Sequence, residues 1–476
     1  MKLLFIVFVP IIGAFLLPLA GIASKTLRNL FALFIVLVPL VLSVTLIQPV
    51  FSSHAITAFW QLPLGFNFFL RADRLALFMA LVSSFLSLLI LIYSFDYISH
   101  YENQNEYYLM VVFFLGSMMG LIFSANLIFL YIFWEMTGIA SWRLIGFFRE
   151  KDDVVRANKS FLITVFGALL MLIGFIILYQ QAGSFDLPAI KEAMANRSVS
   201  NIAVLLILAG IFSKSAVLPF HTWLPDAGVA PSPVTALLHA AILVKIGVYV
   251  FARLFIAVLP LGSLWHTVVP AIAGVSAIVS AGAAFVEKNI KRIVAYSTIS
   301  QISFIFLGFA CGNVLGIAGG LLYILMHGLA KAGLFLCAGI IEQNTKTKDI
   351  TKMGGLFSTM PVTAIAFLFC AFSVMGIPPF GGFFSKFMVM SGAIGSVNPW
   401  IVSVFIIGAF MTILYLLRAF SLIFLGEAKI QAKEGSSLMV ACVAIFAILS
   451  LAGGIFIKYP SLFVQKAVEQ MTMGQK

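Results

Sequence analysis

The sequence predicts an all-α polytopic membrane protein, and its composition and apolar patterning lead to that prediction. Of its 476 residues, 62 % are apolar and only 10 % are charged, and the mean hydropathy is +1.12. A soluble domain has about a quarter of its residues charged. This chain has too few charges to cover a water-facing surface, so the lipid bilayer must be its solvent. Its apolar residues also fall into runs of about 20, the length of a helix that spans a bilayer.

Each predicted transmembrane helix is one apolar run between short polar loops. About fourteen runs occur, at 1–20, 29–48, 74–96, 108–123, 125–147, 160–180, 201–219, 233–257, 265–286, 293–311, 314–342, 361–395, 398–425 and 437–457. The first run carries a single basic residue, Lys2, and another apolar run follows at once. It is therefore predicted to be a retained helix rather than a cleaved signal peptide.

The basic residues lie singly in the loops and predict the orientation of the chain. A formal net charge of +12 would suit a nucleic acid, but dispersed charges between apolar runs do not form a nucleic-acid surface. Cytoplasmic loops of membrane proteins are enriched in Lys and Arg. Most of these residues fall in odd-numbered loops, namely Lys25, Arg28, Arg143, Arg149, Lys151, Arg156, Lys159, Lys288, Lys291, Arg292, Lys346, Lys348, Lys352, Lys429 and Lys433. We expect a multi-pass protein of the cell inner or plasma membrane, with both termini on the non-cytoplasmic side.

The four cysteines are scattered through apolar runs without C-x-x-C spacing; they are Cys311, Cys337, Cys370 and Cys442. Iron–sulfur clusters and structural zinc sites need clustered thiolates. No cofactor or metal is therefore expected in this chain. If the chain serves a redox complex, its Fe–S clusters belong to partner subunits.

Two of the predicted helices are interrupted by proline and glycine. The first break lies around 209–225 and contains Pro219, and the second lies around 376–386 and contains Pro378 and Pro379. Proline removes a main-chain donor and clashes with the preceding turn, so it interrupts a helix. Such a break is tolerated in a membrane only where it is buried in protein or lines a watery cavity. Broken helices in two halves of a chain are typical of transporters with inverted repeats, although simple proline kinks remain an alternative.

Charged and titratable residues lie inside the apolar runs, several of them beside the breaks. They are Glu135, Lys214, His239, Lys245, His327, Lys331 and Lys386, with His221 as a possible further relay. An ionisable group at the bilayer centre costs about 2.5–3.5 kcal/mol on insertion scales, so it is a functional candidate by default. For a single lysine, snorkelling or a structural ion pair is the alternative, and His221 lies in a break that resembles a loop.

Buried lysines can carry protons, because burial disfavours the charged form of an amine and brings its titration towards neutral pH. A nearby carboxylate has the opposite effect. If Glu135 lies close to Lys214, moving the two groups apart would release a proton, and bringing them together would recapture it. Proton movement of this kind needs no metal, nucleotide or covalent intermediate, and no self-contained catalytic site is expected in the chain.

Four motifs resemble the antiporter-like subunits of proton-pumping NADH:quinone oxidoreductase (complex I). They are Phe212–Ala227 (FSKSAVLPFHTWLPDA), Ala230–His239 (APSPVTALLH), Ile290–Gln301 (IKRIVAYSTISQ) and Trp134–Glu135. The spacing of His327 and Lys331 and the segment from Pro378 to Lys386 also match. The resemblance runs over residues 70–425. The family that the chain resembles also includes subunits of multisubunit cation/proton (Mrp-type) antiporters and of membrane-bound energy-converting hydrogenases.

The resemblance implies two inverted five-helix repeats. It places Glu135 and Lys214 in the first half-channel, Lys245 and Lys331 with nearby histidines in a central relay, and Lys386 on the exit side. It divides the chain into N-terminal spans (1–107), a first repeat (108–257), a second repeat (265–425), and a C-terminal span and tail (426–476). Arg143 stands where many members look apolar.

Three functions follow from these observations. The first is a proton-translocating subunit of a redox-driven complex, of the quinone-reducing or hydrogenase type, with a hydrophilic redox arm. The alternative is a subunit of an Mrp-type Na⁺/H⁺ antiporter without a redox partner. The third is a subunit that energises the uptake of another solute. In each case we expect other membrane subunits as partners, including related antiporter-like chains, within the lipid bilayer and without nucleic acid.

Overall fold

The computed structural model describes residues 1–53, 55–63 and 67–473, which form an almost entirely helical protein. In chain order the helices are α1 (Lys2–Ala23), α2 (Lys25–Ser53), α3 (Arg74–Tyr97), α4 (Gln104–Phe123), α5 (Leu127–Ile145), α6 (Lys151–Ala182), α7 (Leu187–Ala193), α8 (Asn201–Ser215), α9 (Trp223–Asp226), α10 (Ser232–Ala236), α11 (Leu243–Phe251), α12 (Trp265–Val286), α13 (Ile290–Ala310), α14 (Val314–Thr345), α15 (Pro361–Met375), α16 (Gly381–Ala393), α17 (Pro399–Phe424), α18 (Ser437–Ile455) and α19 (Lys458–Thr472). Within the described residues, twelve helices are long and apolar enough to cross a membrane, counting Ser232–Ile256 as one. The prediction of an all-α polytopic membrane protein is confirmed.

Both predicted breaks are present, and each separates a short apolar helix from a second helical piece. The first helix, α8, ends at Ser215, and the chain resumes as α9 at Trp223. In the second break α15 ends at Met375, where Gly376 adopts a φ of +82°, and α16 begins at Gly381. Glycine carries no Cβ, so it adopts this left-handed conformation readily and ends the helix there. Each break also contains a cis X-Pro peptide bond.

One side of the molecule gathers the start of α3, α19 and the end of the central helix, as we call the span Ser232–Ile256 that contains α10 and α11. We call this side the hairpin end, after the paired strands Ile56–Gln61 and Asn67–Ala72. Asp73, Arg253 and Gln470 line one small cavity there. The starts of α12 and α8 also meet, because Trp265 donates a hydrogen bond to Asn201 at 2.9 Å. The hairpin end therefore collects the even-numbered loops of the sequence.

The opposite side, which we call the basic end, holds most of the loop lysines and arginines. Asp226 accepts hydrogen bonds from Lys159 and Arg292 at 2.7 Å each, which joins the starts of α6 and α13. Ser436, which precedes α18, donates to Asp96 near the end of α3 at 2.6 Å. The two broken helices consequently cross in opposite directions, α8 towards the basic end and α15–α16 away from it. The division into two inverted five-helix repeats stays a prediction.

Two elements lie where the sequence indicated only loop and tail. The loop at 49–73 contains strands β1 (Ile56–Gln61) and β2 (Asn67–Ala72), which pair antiparallel. Six residues are too few for a strand to cross a bilayer. The tail contains α19, which buries Val464, Val468 and Met471. The buried residues of this helix recur every three or four positions between polar ones, so they form no continuous apolar run in the sequence.

The centre of the molecule is formed by α10–α11, α13 and α14, which are the most buried of its membrane helices. In the outer helices, such as α2 and α17, only a third of the apolar membrane segment is buried, as expected for lipid-facing or subunit-facing surfaces. The central helix also contains a π-helical turn at Leu237–Ala241, in which the Ile242 N–H donates to the Leu237 carbonyl at 2.9 Å. Such turns occur often at functional sites, and this one carries His239.

Candidate proton-translocation site

The first group of candidate residues lies between α5 and α8. Lys214 is 1 % exposed, and its Nζ donates a hydrogen bond to the Trp134 carbonyl at 3.2 Å and lies 5.3 Å from the centre of the Trp134 ring. A Cβ placed on Gly138 would lie 3.3 Å from Lys214 Nζ and 3.8 Å from Glu135 Oε2. The structure therefore brings Glu135 and Lys214 to the same glycine. Among the described residues, the two groups form no direct ion pair within 4.0 Å.

His221 lies apart from this pair. It is half-buried in the first break, between the exposed Pro219 and Thr222. The structure does not bring its side chain to the central lysines, so its part in a relay stays a prediction.

The second group occupies the centre of the molecule, where Lys245, His239, His327 and Lys331 are all 0 % exposed. Lys245 Nζ donates to the Ile324 carbonyl of α14 at 2.7 Å, and Lys331 Nζ donates to the Val294 carbonyl of α13 at 3.1 Å. His327 and Lys331 share one face of α14, as their spacing predicted.

The two central histidines supply polar atoms without protein partners. Within the described residues, neither ring nitrogen of His239 or His327 has a hydrogen-bond partner. The His239 ring packs against Phe335, with ring centres 4.4 Å apart. Buried polar atoms in folded proteins are hydrogen-bonded to protein or to ordered water. These four nitrogens are therefore positions at which water could bind, and a hydrated relay here stays a prediction.

The third group surrounds Lys386, which is 6 % exposed in α16. Its Nζ donates to the Val374 carbonyl at 2.7 Å, at the C-terminal end of α15, where the helix dipole favours positive charge. It lies 4.8 Å from the centre of the Phe304 ring and 5.6 Å from that of Tyr323. Tyr323 also contacts His327, with ring centres 5.8 Å apart. Tyr323 thus stands between the central group and Lys386.

Sequence reasoning missed the residues that hold Tyr323. Its hydroxyl donates to Gln301 Oε1 at 2.7 Å, and Gln301 Nε2 donates to Thr412 at 3.2 Å. Tyr415 donates to Ser297 at 2.6 Å in the same buried cluster. Uncharged side chains inside membrane helices give no compositional signal. Only the packing of α13, α14 and α17 brings them together.

Sequence reasoning also missed a charged pair that reaches the surface at the basic end. Lys291 is 1 % exposed, and its Nζ lies 2.7 Å from Glu342 Oε2 and 2.9 Å from the Ala230 carbonyl. Glu342 lines an open cavity of about 620 Å³. Lys291 lies one helical turn before Val294, whose carbonyl accepts from Lys331. The cavity, the pair and the central group of buried lysines and histidines therefore follow one another along α13.

Arg143 lies at the basic end of α5 and forms an ion pair with Glu106, which Arg149 also contacts at 2.7 Å. It marks the end of the helix and does not reach Glu135 or Lys214. In the part of the chain that the structure describes, no group of three or more His, Cys, Asp or Glu side chains could hold a metal ion.

Comparison with known proteins gives the family. Residues 124–412 match the family described as NADH:quinone oxidoreductase/Mrp antiporter, TM, and residues 61–108 match the N-terminus of chain 5 of NADH-ubiquinone oxidoreductase (complex I). The chain belongs to this family of membrane subunits. It is 36 % identical to the A subunit of the Na⁺/H⁺ antiporter of Alkalihalophilus pseudofirmus, over 83 % of this chain and 53 % of the relative.

A second relative and two solved structures are also similar to the chain. The A1 subunit of the Na⁺/H⁺ antiporter of Staphylococcus haemolyticus is 33 % identical over 98 % of this chain and 62 % of its own length. The chain thus spans little more than half of these curated relatives. A chain of the Mrp complex from Dietzia sp. has the same fold, with a TM-score of 0.90, 21 % identity and coverage of 99 % and 98 % of the two chains. A chain of an archaeal membrane-bound sulfane sulfur reductase also shares the fold, with a TM-score of 0.91, 23 % identity and coverage of 100 % and 98 %.

Proposed function

We propose that the chain is the proton-translocating part of a multisubunit Na⁺/H⁺ antiporter in the cell membrane. The observation that carries this proposal is the series of buried amines, Lys214, Lys245, Lys331 and Lys386, each hydrogen-bonded to a main-chain carbonyl. Amines bind and release protons, whereas the charged ammonium form has no lone pair for a metal cation. The names of the relatives support an antiporter, because they are Na⁺/H⁺ antiporter subunits.

The energetics of this mechanism are modest. Moving a proton against about 150 mV costs roughly 3.5 kcal/mol. A tenfold change in proton affinity corresponds to about 1.36 kcal/mol, so a rearrangement that changes the affinity of one lysine by about three orders of magnitude is enough. Glu135 and Lys214 both approach Gly138 without an ion pair within 4.0 Å among the described residues, and a change in their separation would supply such a rearrangement. His239 and His327 would connect the two halves through hydrating water, and Lys291 with Glu342 would admit protons from the basic end.

Sodium transport is assigned to partner subunits. Hard cations are bound by several oxygen ligands, usually carboxylates and carbonyls. Glu135 is the carboxylate that approaches Lys214, and it is only half-buried on the outer face of α5, between the exposed Ile132 and Ile139. A carboxylate on such an apolar face needs a protein neighbour in the membrane. We therefore propose that this neighbour is a related antiporter-like chain or another membrane component of the complex. We also propose that both termini of this chain lie on the non-cytoplasmic side.

A redox-driven complex, which the sequence motifs favoured first, is the second candidate. The similarity to a chain of the sulfane sulfur reductase is one of fold, at 23 % identity. The identity to antiporter subunits is higher, at 36 %. Purification of the complex in mild detergent separates the two candidates. Co-purifying iron-rich hydrophilic subunits would assign the chain to a redox-driven pump, and small membrane subunits without iron would assign it to the antiporter.

Transport by the whole complex tests the proposal directly. The complex is expressed in a host without Na⁺/H⁺ antiporters, and everted vesicles are assayed for sodium-dependent recovery of a pH-sensitive dye. We expect Lys214→Ala to abolish the recovery, and the exposed loop variant Lys433→Ala to leave it unchanged. Full recovery with Lys214→Ala, at equal amounts of complex, would exclude Lys214 from the pathway.

A further inference from the structure

Two of the buried lysines reach their carbonyl acceptors through the same local arrangement. Lys214 donates to the carbonyl of Trp134, and the residue four positions after Trp134 is Gly138. Lys245 donates to the carbonyl of Ile324, and the residue four positions after Ile324 is Gly328. Side chains on a helix point towards its N-terminus and cover the preceding turn. A glycine four residues after a carbonyl therefore leaves that carbonyl open to a side chain from a neighbouring helix.

The distances show how little space these glycines leave. A Cβ on Gly328 would lie 2.6 Å from Lys245 Nζ, closer than real contacts allow, and 2.7 Å from Leu86 Cδ1. A Cβ on Gly138 would lie 3.3 Å from Lys214 Nζ. Among the described glycines, these two are the ones whose Cβ would meet a lysine ammonium. Other close-packed glycines of the membrane helices meet uncharged side chains or main-chain atoms, as Gly320 meets the Phe309 ring at 2.8 Å and Gly247 meets the Ser215 hydroxyl.

We infer that Gly138 and Gly328 are positioning residues of the proton pathway, which open one helix carbonyl each to the ammonium groups of Lys214 and Lys245. This inference rests on the proposed function. A buried ammonium must be hydrogen-bonded, and at these two positions a main-chain carbonyl takes the place that a carboxylate would hold in an ion pair. A carbonyl is a neutral dipole that holds the proton without a full opposite charge. The lysine can therefore give the proton up to the next group.

The charged surroundings of the two lysines differ. Lys214 faces Glu135, which lies across Gly138 on α5. Lys245 faces His327 on α14, with His239 and Lys331 in the same buried group, and no carboxylate of the described residues lies within 4.0 Å of it. The open carbonyl therefore matters most at Lys245.

Alanine substitution tests the inference in the whole complex, because it adds one carbon at each glycine. Gly138→Ala and Gly328→Ala are compared with Gly282→Ala and Gly408→Ala, which lie in membrane helices where a Cβ would meet its nearest neighbour at 3.8 and 3.9 Å. Sodium-dependent proton transport is measured from pH 6 to 9, roughly the range around neutrality in which buried lysines titrate. Assembly is followed by the amount of purified complex.

We expect at least a tenfold lower transport rate and a pH profile displaced by about one unit for Gly138→Ala and Gly328→Ala, with normal rates and profiles for the two controls. Wild-type rates and profiles in both variants would overturn the inference, whereas a wild-type complex that moves no protons would overturn the proposed function instead. A clash of the new Cβ with Leu86 is the competing explanation for slow transport in Gly328→Ala. Recovery of Gly328→Ala by Leu86→Ala would assign the defect to packing and refute the inference there. Gly138→Ala, with its looser contact, tests the inference if Gly328→Ala fails to assemble.

Discussion

The ion pair between Asp73 and Arg253 offers a direct test of how the central helix is held against α3. Both residues are 6 % exposed, and two hydrogen bonds join their side chains, at 2.5 Å from Arg253 Nη1 and 2.8 Å from Nη2. Arg253 also donates to the Tyr249 hydroxyl at 3.0 Å, which itself donates to the Ile122 carbonyl. Asp73 additionally accepts from the Ala76 N–H at 3.0 Å and caps α3.

A double-mutant cycle measures the strength of this pair. Arg253→Met removes the hydrogen-bonded charged partner of the buried Asp73 carboxylate and leaves it Arg71 Nε at 3.8 Å, and removal of one member of a buried pair costs about 3–5 kcal/mol. Asp73→Asn keeps the size and the cap but strands the guanidinium, at a similar cost. The double variant buries no charge, and replacement of a whole buried pair is often close to neutral. We therefore expect the double variant to be more stable than either single variant, with a coupling free energy of about 3 kcal/mol or more.

Unfolding of the purified protein by SDS titration, followed by tryptophan fluorescence, gives the four free energies of unfolding. Additive effects of the two substitutions, within about 0.5 kcal/mol, would refute the reasoning and show that the pair contributes little. The pH dependence provides a second check. Burial alone raises the pKa of Asp73, but the charge and hydrogen bonds of Arg253 outweigh it and hold the pKa below its ordinary value of 3.8. The stabilisation is therefore present above about pH 4 and is lost as the pH falls below that value. In Arg253→Met the loss should begin at higher pH.

Three further outcomes are expected. Glu342→Gln should slow proton uptake at least tenfold, roughly the effect of one lost proton-transfer group, because Lys291 loses its charged partner; unchanged vesicle transport would exclude this uptake route. Burial alone raises the pKa of Asp226, yet hydrogen bonds from Lys159 and Arg292 hold it below its ordinary value. Asp226→Asn should therefore cost about 1 kcal/mol of unfolding free energy near neutral pH, and this cost should shrink as the pH falls below the ordinary carboxyl pKa of 3.8, measured by SDS titration at neutral and acidic pH. Tyr323→Phe should cost about 1–3 kcal/mol, because Gln301 Oε1 is left buried and unpaired; equal thermal stability in detergent would contradict this.

The sequence by itself predicted that the protein lies in a membrane, that it is helical, and which residues are candidates for its function. Hydropathy is a sum over about 20 neighbouring residues, so the membrane helices could be predicted without knowing what they pack against. The breaks at Pro219 and Pro378 were likewise predictable, because proline disrupts a helix wherever it stands. The lysines of the relay stood out because a charge in an apolar run is rare. Their roles in transport stay predictions.

Only the tertiary structure decided which of these residues meet. Arg253 and Asp73 are 180 positions apart, and Lys245 and Ile324 are 79 apart. No local pattern encodes such distances, because they depend on how whole helices pack. Lys291 looked like one more basic residue of a loop, and Gly138 and Gly328 looked like ordinary glycines. Their importance comes from a neighbouring helix that approaches within hydrogen-bonding distance, a property of the packed molecule rather than of any segment of its sequence.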